Sequence, residues 1–378
     1  MTRGIMVYLE SEAELVGILG HEIGHVTAKH SVSRISNAQL AQLGMGVSMI
    51  LVPELQAFEG LASASMGLLF LKFGRDDERQ SDALGVRYMS SLGYDPAELS
   101  GVMAMLGSVT SEEAGPRGPE WLSTHPNPEN REEAILEMAA RTQVARDPAI
   151  VGRERYLRRL DGVTFGENPR EGFFRGQVFH HPEMAFSLNF PQGWRTANSK
   201  QAVQSLSQEQ DALLVLTLGE GSTPSGALRS FLGMEGMQGA SLSEANVNGL
   251  PAASADFRFT SSDGTLDGRV MFIQHRGTLF RFLGYAPASA WAARRSAVRG
   301  SLESFRPLTD QRYLRVQPAR LKIVTLSRSG SLTWALEQEG AGHRIEEVRR
   351  LNRLEGNPSL PAVTILKIPV GGVLPDEL

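Results

Sequence analysis

Apolar residues between positions 11 and 140 recur at three-to-four spacing, the period of helices with one buried face. Leu15, Ile18, Leu19, Ile23 and Val26 follow Ser11-Glu-Ala-Glu14, a capping-box pattern, which predicts a helix from Glu12 to about Ser33. A second helical pattern spans Leu61–Leu92 and stops at Gly93; a third starts near Asp95-Pro96, and a fourth at Asn127-Pro128, where proline suits the first turn. From Val178 the texture changes. Val178–Phe190, Ala212–Leu218, Ala252–Thr260, Arg269–His275 and Thr278–Tyr285 are short apolar or alternating runs between Gly, Asp and Ser turns, which predicts strands. Trp291–Phe305 reads as one helix. Leu321–Pro369 reads strand, helix (Leu332–Glu339), helix (Ile345–Leu351), strand (Val363–Ile368).

These changes of period predict a multidomain α+β protein: a mainly α-helical domain over 1–145, an Arg-rich linker over 146–171, an antiparallel α+β domain over 172–307 and a small βααβ unit over 312–371. A chain of 378 residues suits two or three domains. With 41% hydrophobic and 21% charged residues, it is neither collagen-like, coiled-coil nor wholly disordered. No cysteine occurs, so thiolate metal sites, disulfides and cysteine nucleophiles are excluded, and any metal must be held by His, Asp or Glu.

Charge is unevenly spread. Residues 1–140 carry 9 Lys and Arg against 19 Asp and Glu, a balance that argues against nucleic acid as a partner, because phosphate contacts need clustered cations. The basic remainder peaks between Arg141 and Arg175, which reads as a solvated linker. Pro53, Glu54 and Glu59 interrupt the most apolar region, Leu40–Phe73, so a transmembrane segment is not expected; a buried helical hairpin is favoured over a dip of Leu40–Val52 into a membrane interface.

Candidate chemistry begins with His21-Glu-Ile-Gly-His25, an HExxH sequence with a chance expectation of about 0.013 per chain. Successive helical residues are about 100° apart, so His21 and His25 stand one turn apart on one face and can share an ion at zinc–nitrogen distances of about 2.0–2.1 Å. Glu22 points elsewhere, where it can touch a water on the metal as general base. Gly20 and Gly24 allow close packing against this helix. His30 falls about 180° from His21 on a continuing helix and is expected to be an ordinary surface or core histidine. A third ligand must come from elsewhere. Glu78 is the best candidate; Glu78 and Asp82 are i,i+4 neighbours at a helix start, so one carboxylate can bind the metal while the other accepts a hydrogen bond from a ligating imidazole. The competing reading is a solvated acidic helix start. No GxSxG-type elbow suggests serine catalysis.

HEIGHVTAKHS, GLLFLKFGRDDERQSDALGVRYMSSLGYDP and STHPNPENR resemble, in order and spacing, the gluzincin metalloprotease family of HtpX, the CAAX-prenyl endopeptidase and the periplasmic protease BepA. The resemblance implies one Zn2+ held by His21, His25 and Glu78, with Glu22 as base and Asp82 behind a ligand. It also implies that His125 of the Ser-Thr-His-Pro motif approaches the metal, aiding the transition state or filling the open position as a switch, with Arg131 nearby. Peptide-bond hydrolysis of protein substrates in the bacterial envelope is the expectation it carries. Relatives of the BepA type start with a signal peptide and an Asn-Ala-Phe…Pro-Gly-Gly strand ahead of the residues matching Thr2-Arg3-Gly4. The domain is thus expected to be N-terminally incomplete relative to the family, and, lacking a secretory signal, cytoplasmic if Met1 is the true start. Ser81 stands where relatives often carry Ala.

Farther along, His180-His181 is expected in a turn before a strand, because adjacent strand residues face opposite sides and no carboxylate sits at ligand spacing. HHPEMAFSLNFPQGW resembles the PsbP/Mog1-like α+β fold. LKIVTLSRSGSLTWALEQEGAGHRIEEVRRLNRLEGNPSLPAVTILKIP resembles a divergent LysM module, which implies peptidoglycan as a partner, although Gly330-Ser-Leu-Thr replaces the usual Gly-Asp-Thr-Leu. The alternative to a zinc endopeptidase is a non-catalytic, chaperone-like or peptidoglycan-binding envelope protein.

Overall fold

The structure, a computed structural model, describes residues 2–30, 74–109, 125, 130–261 and 264–375. The expected hairpin at Leu40–Phe73, the start of the second helical pattern and the start of the fourth lie outside the described residues. In chain order the elements are α1 (Arg3–Met6), α2 (Glu12–Thr27), α3 (Arg75–Ser91), α4 (Glu98–Val109), α5 (Arg131–Arg141), α6 (Arg153–Arg159) and β1 (Thr164–Phe165). Then follow β2 (Phe173–Arg175), β3 (Val178–His181), β4 (Phe186–Asn189), β5 (Arg195–Asn198), β6 (Val203–Leu206), β7 (Leu213–Leu218), α7 (Pro224–Leu232) and β8 (Met237–Val247). Next come β9 (Leu250–Ser261), β10 (Gly264–His275), β11 (Thr278–Pro287), α8 (Ala288–Leu302), β12 (Arg306–Pro307) and α9 (Gln311–Leu314). The last are β13 (Ala319–Thr325), β14 (Gly330–Ser331), α10 (Leu332–Gln338), α11 (Ile345–Asn352), β15 (Ser359–Leu360) and β16 (Ile365–Val370).

Contacts divide the chain into two compact units, residues 1–166 with 319–370, and residues 167–318 with 371–378. The fold is mixed helix and sheet, with an antiparallel sheet unit. The C-terminal βααβ segment, expected to stand alone, therefore groups with the helical domain, and the inserted residues form the second unit.

In the first unit, Ser11 caps α2 by accepting the Glu14 amide at 3.0 Å and donates to Glu98 at 2.7 Å, fixing α2 to the start of α4. The helix faces its neighbours with Ala13, Gly17, Ile18, Gly20, His21, Gly24 and His25, whereas Leu19, Ile23 and Val26 stand exposed. Of the five periodic apolar residues, Ile18 is buried and Leu15 packs against the core. Small residues form much of the buried face because α3 lies so close: a Cβ on Gly20 would fall 3.2 Å from the Gly85 Cα, and one on Gly24 would fall 3.1 Å from the Ser81 Cα. Helix α2 ends at Thr27, earlier than Ser33, because Lys29 takes a left-handed backbone, φ 57°, and reverses the chain.

The Arg-rich run is not simply a solvated linker. Within it α6 buries Tyr156 and Leu157 and leads to buried Leu160, and the Tyr156 hydroxyl donates to the Met6 carbonyl at 2.7 Å. Strands β1, β13 and β16 form a three-stranded antiparallel sheet, and Leu321 and Leu351 enter the core of the helical domain. Lys367, fully buried on β16, donates to the Leu9 carbonyl at 2.9 Å and pairs with Glu10 at 2.8 Å. Arg353 pairs with Glu14 at 2.7 Å. Burial pushes the Glu14 carboxyl up, and Arg353 offsets part of that rise. Arg353→Leu should therefore destabilise the first unit by about 3 kcal/mol, the lower end of the range for breaking a buried pair, because Arg353 is 30% exposed; chemical denaturation measures this, and an unchanged midpoint would rule it out.

The second unit carries a seven-stranded antiparallel sheet in the order β5-β6-β7-β11-β10-β9-β8 and a four-stranded one in the order β12-β4-β3-β2. Phe179, Phe186, Phe282 and Phe305 lie in its core. His180 and His181 are not in a turn: they end β3, with His180 opposite Phe173 and Ser187 and His181 opposite Phe186. The His180 ring stacks on Tyr313, centroids 4.3 Å apart, and its Nδ1 is buried without a hydrogen bond. Burial, then the Arg306 charge, lowers its pKa from 6.5 to about 4. Between those values the unfolded chain binds a proton that the folded chain refuses, so stability falls as pH drops from 6.5 to about 4 and is flat in this respect below. Calorimetry of wild type and His180→Gln should show the variant losing less stability across that window; parallel Tm profiles would refute the assignment.

Candidate metal centre

Helices α2 and α3 cross where glycine and serine replace larger side chains, and their facing turns carry His21, His25, Glu78 and Asp82, all buried. His21 Nε2 and His25 Nε2 lie 3.0 Å apart. Glu78 Oε2 is 3.5 Å from His21 Nε2, and Glu78 Oε1 is 3.4 Å from His25 Nε2. His125 adds Nδ1, 3.3 Å from His21 Nε2 and 3.1 Å from Glu78 Oε1. One candidate donor atom from each of these four residues lies within 4.8 Å of every other.

That grouping passes a chemical test for a metal. Neutral imidazole nitrogens present lone pairs that repel when they converge, unless a proton or cation sits between them. A tetrahedral zinc with bonds of 2.0–2.1 Å would space its ligand atoms by about 3.3 Å, close to the 3.0–3.5 Å found here. Nitrogen and carboxylate donors without sulfur suit zinc among several divalent ions. Glu78 Oε2 is buried without a hydrogen bond, although Arg131 Nη1 lies 2.9 Å away; the ion pair supplies charge balance where the hydrogen-bond geometry is poor.

The surrounding groups fix ring orientation and charge. His21 Nδ1 donates to Asp82 Oδ1 at 2.9 Å, which leaves Nε2 as the free base facing the cluster. Arg131, at the start of α5, donates from Nε to Asp82 Oδ2 at 2.8 Å and from Nη2 to Oδ1 at 2.6 Å. Burial disfavours a charged His21, but hydrogen bonds to Asp82 and Glu78 outweigh it and raise its pKa. For His25 burial wins and the pKa falls, leaving the ring neutral. Burial also opposes ionisation of Glu78, yet hydrogen bonds from His125, His21 and His25 hold its carboxyl far below the usual range. Glu22 is partly exposed, its Oε1 3.6 Å from His125 Nε2. All seven residues singled out from the sequence thus meet in one place.

Residues 1–139 match the model of peptidase family M48. They form an M48 domain. Over 173 residues the chain is 29% identical to the mitochondrial metalloendopeptidase OMA1 of Arabidopsis thaliana, covering 45% of this chain and 31% of that protein. Over 134 residues it is 30% identical to the beta-barrel assembly-enhancing protease of Yersinia pestis, covering 33% of this chain and 27% of that protein. The chain thus spans about a third or less of the length of these curated relatives. Among solved structures, cyanobacterial PsbP (CyanoP) from Synechocystis sp. PCC 6803 is similar at 15% identity and a TM-score of 0.30, covering 35% of this chain and 91% of that one.

One buried polar residue of the M48 domain was missed. His30 was expected to have no part in the site, yet it is buried with its Nδ1 2.9 Å from His25 Nδ1. Its place depends on the reversal at Lys29, which apolar periodicity does not signal. The close helix crossing gives a test of the whole assembly: Gly24→Ala should cost the first unit about 1–3 kcal/mol, the usual range for overpacking, and weaken divalent-cation binding, because backbone atoms of Ser81 stand within 3.2 Å of the added Cβ. Calorimetry and chelator competition measure the two effects, and wild-type values for both would contradict the packing argument.

Proposed function

We propose that the M48 domain is a zinc-dependent endopeptidase. The observation that carries this reading is the convergence of His21, His25, Glu78 and His125 in a buried cluster on an HExxH helix. Those residues would hold the ion, and Asp82 and Arg131 would orient and balance them. Zinc bound at this place would supply a Lewis acid, able to acidify a water and polarise a peptide carbonyl. Glu22, acidic, partly exposed and one residue beyond His21, takes the proton of the attacking water and delivers it to the leaving amine. Asp82 keeps the proton of His21 on Nδ1 throughout, and Arg131 holds the Asp82 carboxylate in place through two hydrogen bonds. With His125 among the donors the cluster is complete, so the path to a reacting carbonyl opens when the His125 side chain withdraws.

The substrates fitting this chemistry are proteins or peptides, and the family resemblance supports a role in envelope quality control, in the periplasm. Among the described residues no helix is long and apolar enough to cross a membrane. The antiparallel second unit fits a PsbP/Mog1-like accessory role. In residues 319–370 two helices lie between β13 and β16, with the short β14 and β15 inside that frame, an order that supports reading the segment as LysM-like, with peptidoglycan as its candidate ligand.

Zinc content and casein cleavage, measured on wild type and Glu22→Gln, test the proposal. The variant should keep about one zinc per chain and lose cleavage by about 10²–10⁴-fold, the usual share of a general base. A zinc-loaded wild type without cleavage, or a variant as active as wild type, would overturn it.

A further inference from the structure

His25 presents Nε2 to the metal cluster, so its Nδ1 must carry the ring's remaining proton and needs an acceptor. For His21 that acceptor is the Asp82 carboxylate. For His25 the group within reach is another imidazole, Nδ1 of His30 at 2.9 Å. Two imidazole nitrogens bond only if one has the proton and the other does not. The opposite side of the His30 ring decides which. His30 Nε2 lies 3.0 Å from the Gln80 side-chain carbonyl and 3.6 Å from Asp77 Oδ1, both acceptors, so Nε2 must carry the proton of a neutral His30. Its Nδ1 is then a lone pair aimed at His25. Ser81 Oγ, 3.4 Å from the same nitrogen, is at the outer limit of a hydrogen bond and competes little with the His25 N–H at 2.9 Å for that lone pair.

We infer that His30 is a positioning residue for the metal centre: with Gln80 it forms a neutral hydrogen-bond relay that holds His25 in the tautomer whose Nε2 can ligate. The inference rests on the zinc reading of the site. Both members of the relay come from the two helices that carry the ligands: His30 follows α2, turned back by Lys29, and Gln80 lies on α3, two residues after Glu78. The two ligating imidazoles are thereby oriented by different means. His21 rests on a carboxylate held by Arg131, whereas His25 rests on an uncharged ring and amide, so the relay orients a ligand without adding another buried negative charge.

The test is zinc affinity of the full chain, by competition with a chromogenic chelator, for wild type, His30→Leu, His30→Gln and Gln80→Leu. Glutamine at position 30 can accept from His25 and donate to Gln80, so His30→Gln should bind within a few-fold of wild type. His30→Leu should bind about 10–100-fold more weakly, the usual effect of losing a ligand's supporting partner, and Gln80→Leu should fall between. Wild-type affinity in a folded His30→Leu would overturn the relay while leaving the metal site standing; a wild type that binds no zinc would overturn both. Should His30→Leu fail to fold, nitrogen-15 NMR of the zinc-loaded wild type decides: His30 protonated on Nε2 and His25 on Nδ1 is the expected pattern, and His30 protonated on Nδ1 defeats the proposal.

Discussion

A buried carboxylate governs the architecture of the first unit. Glu78 is fully enclosed and ionised, a state that an apolar interior resists unless opposite charge and hydrogen-bond donors surround it. Arg131 supplies one positive charge, which Glu78 shares with Asp82, held by the same guanidinium in a bidentate pair. With neutral imidazoles the centre then keeps a net charge of −1, and a divalent cation is the addition that reverses it. Helix crossing, histidine placement and the position of α5 are all consequences of gathering enough donors and charge around that single acid.

The approach of α2 to α3 depends on removing side chains rather than adding them. Gly20 faces Gly85, and Gly24 faces Ser81, so backbone meets backbone at the level of the ligands. At the other end of α2, Glu14 is held by Arg353 and by the Glu10 amide at 2.6 Å. The helix bearing HExxH is thus fixed through small residues at its functional end and through buried charge at its start.

Much of the centre was legible because helical periodicity converts spacing into direction. His21 and His25 could be placed on one face without a structure, and Glu78 with Asp82 on another helix could be matched to them by chemistry. Arg131 and His125 became candidates through the family resemblance, since nothing local in an arginine or a lone histidine names its partner. On α2 apolar size was a poor guide to burial: Ile18 is buried but Leu19, Ile23 and Val26 are exposed, because contact with α3 required the smallest residues. Within the Arg-rich run, Tyr156, Leu157 and Leu160 already showed helical spacing, but the charge density obscured it. The βααβ order of the C-terminal segment was legible and its association with the helical domain was not, because a lysine within Ile-Leu-Lys-Ile-Pro-Val gives no sign that it meets Glu10.

The bond from Lys367 to Leu9 joins residues 358 positions apart. Lys367 can reach the Leu9 carbonyl only once the chain between them has been made, so this contact forms after the amino-terminal helices and the intervening unit have been synthesised. The intervening antiparallel unit has time to form before the two distant parts join, and closure of such a long loop carries a large entropic and kinetic burden. The last contacts of the helical domain thus depend on residues that follow the intervening unit.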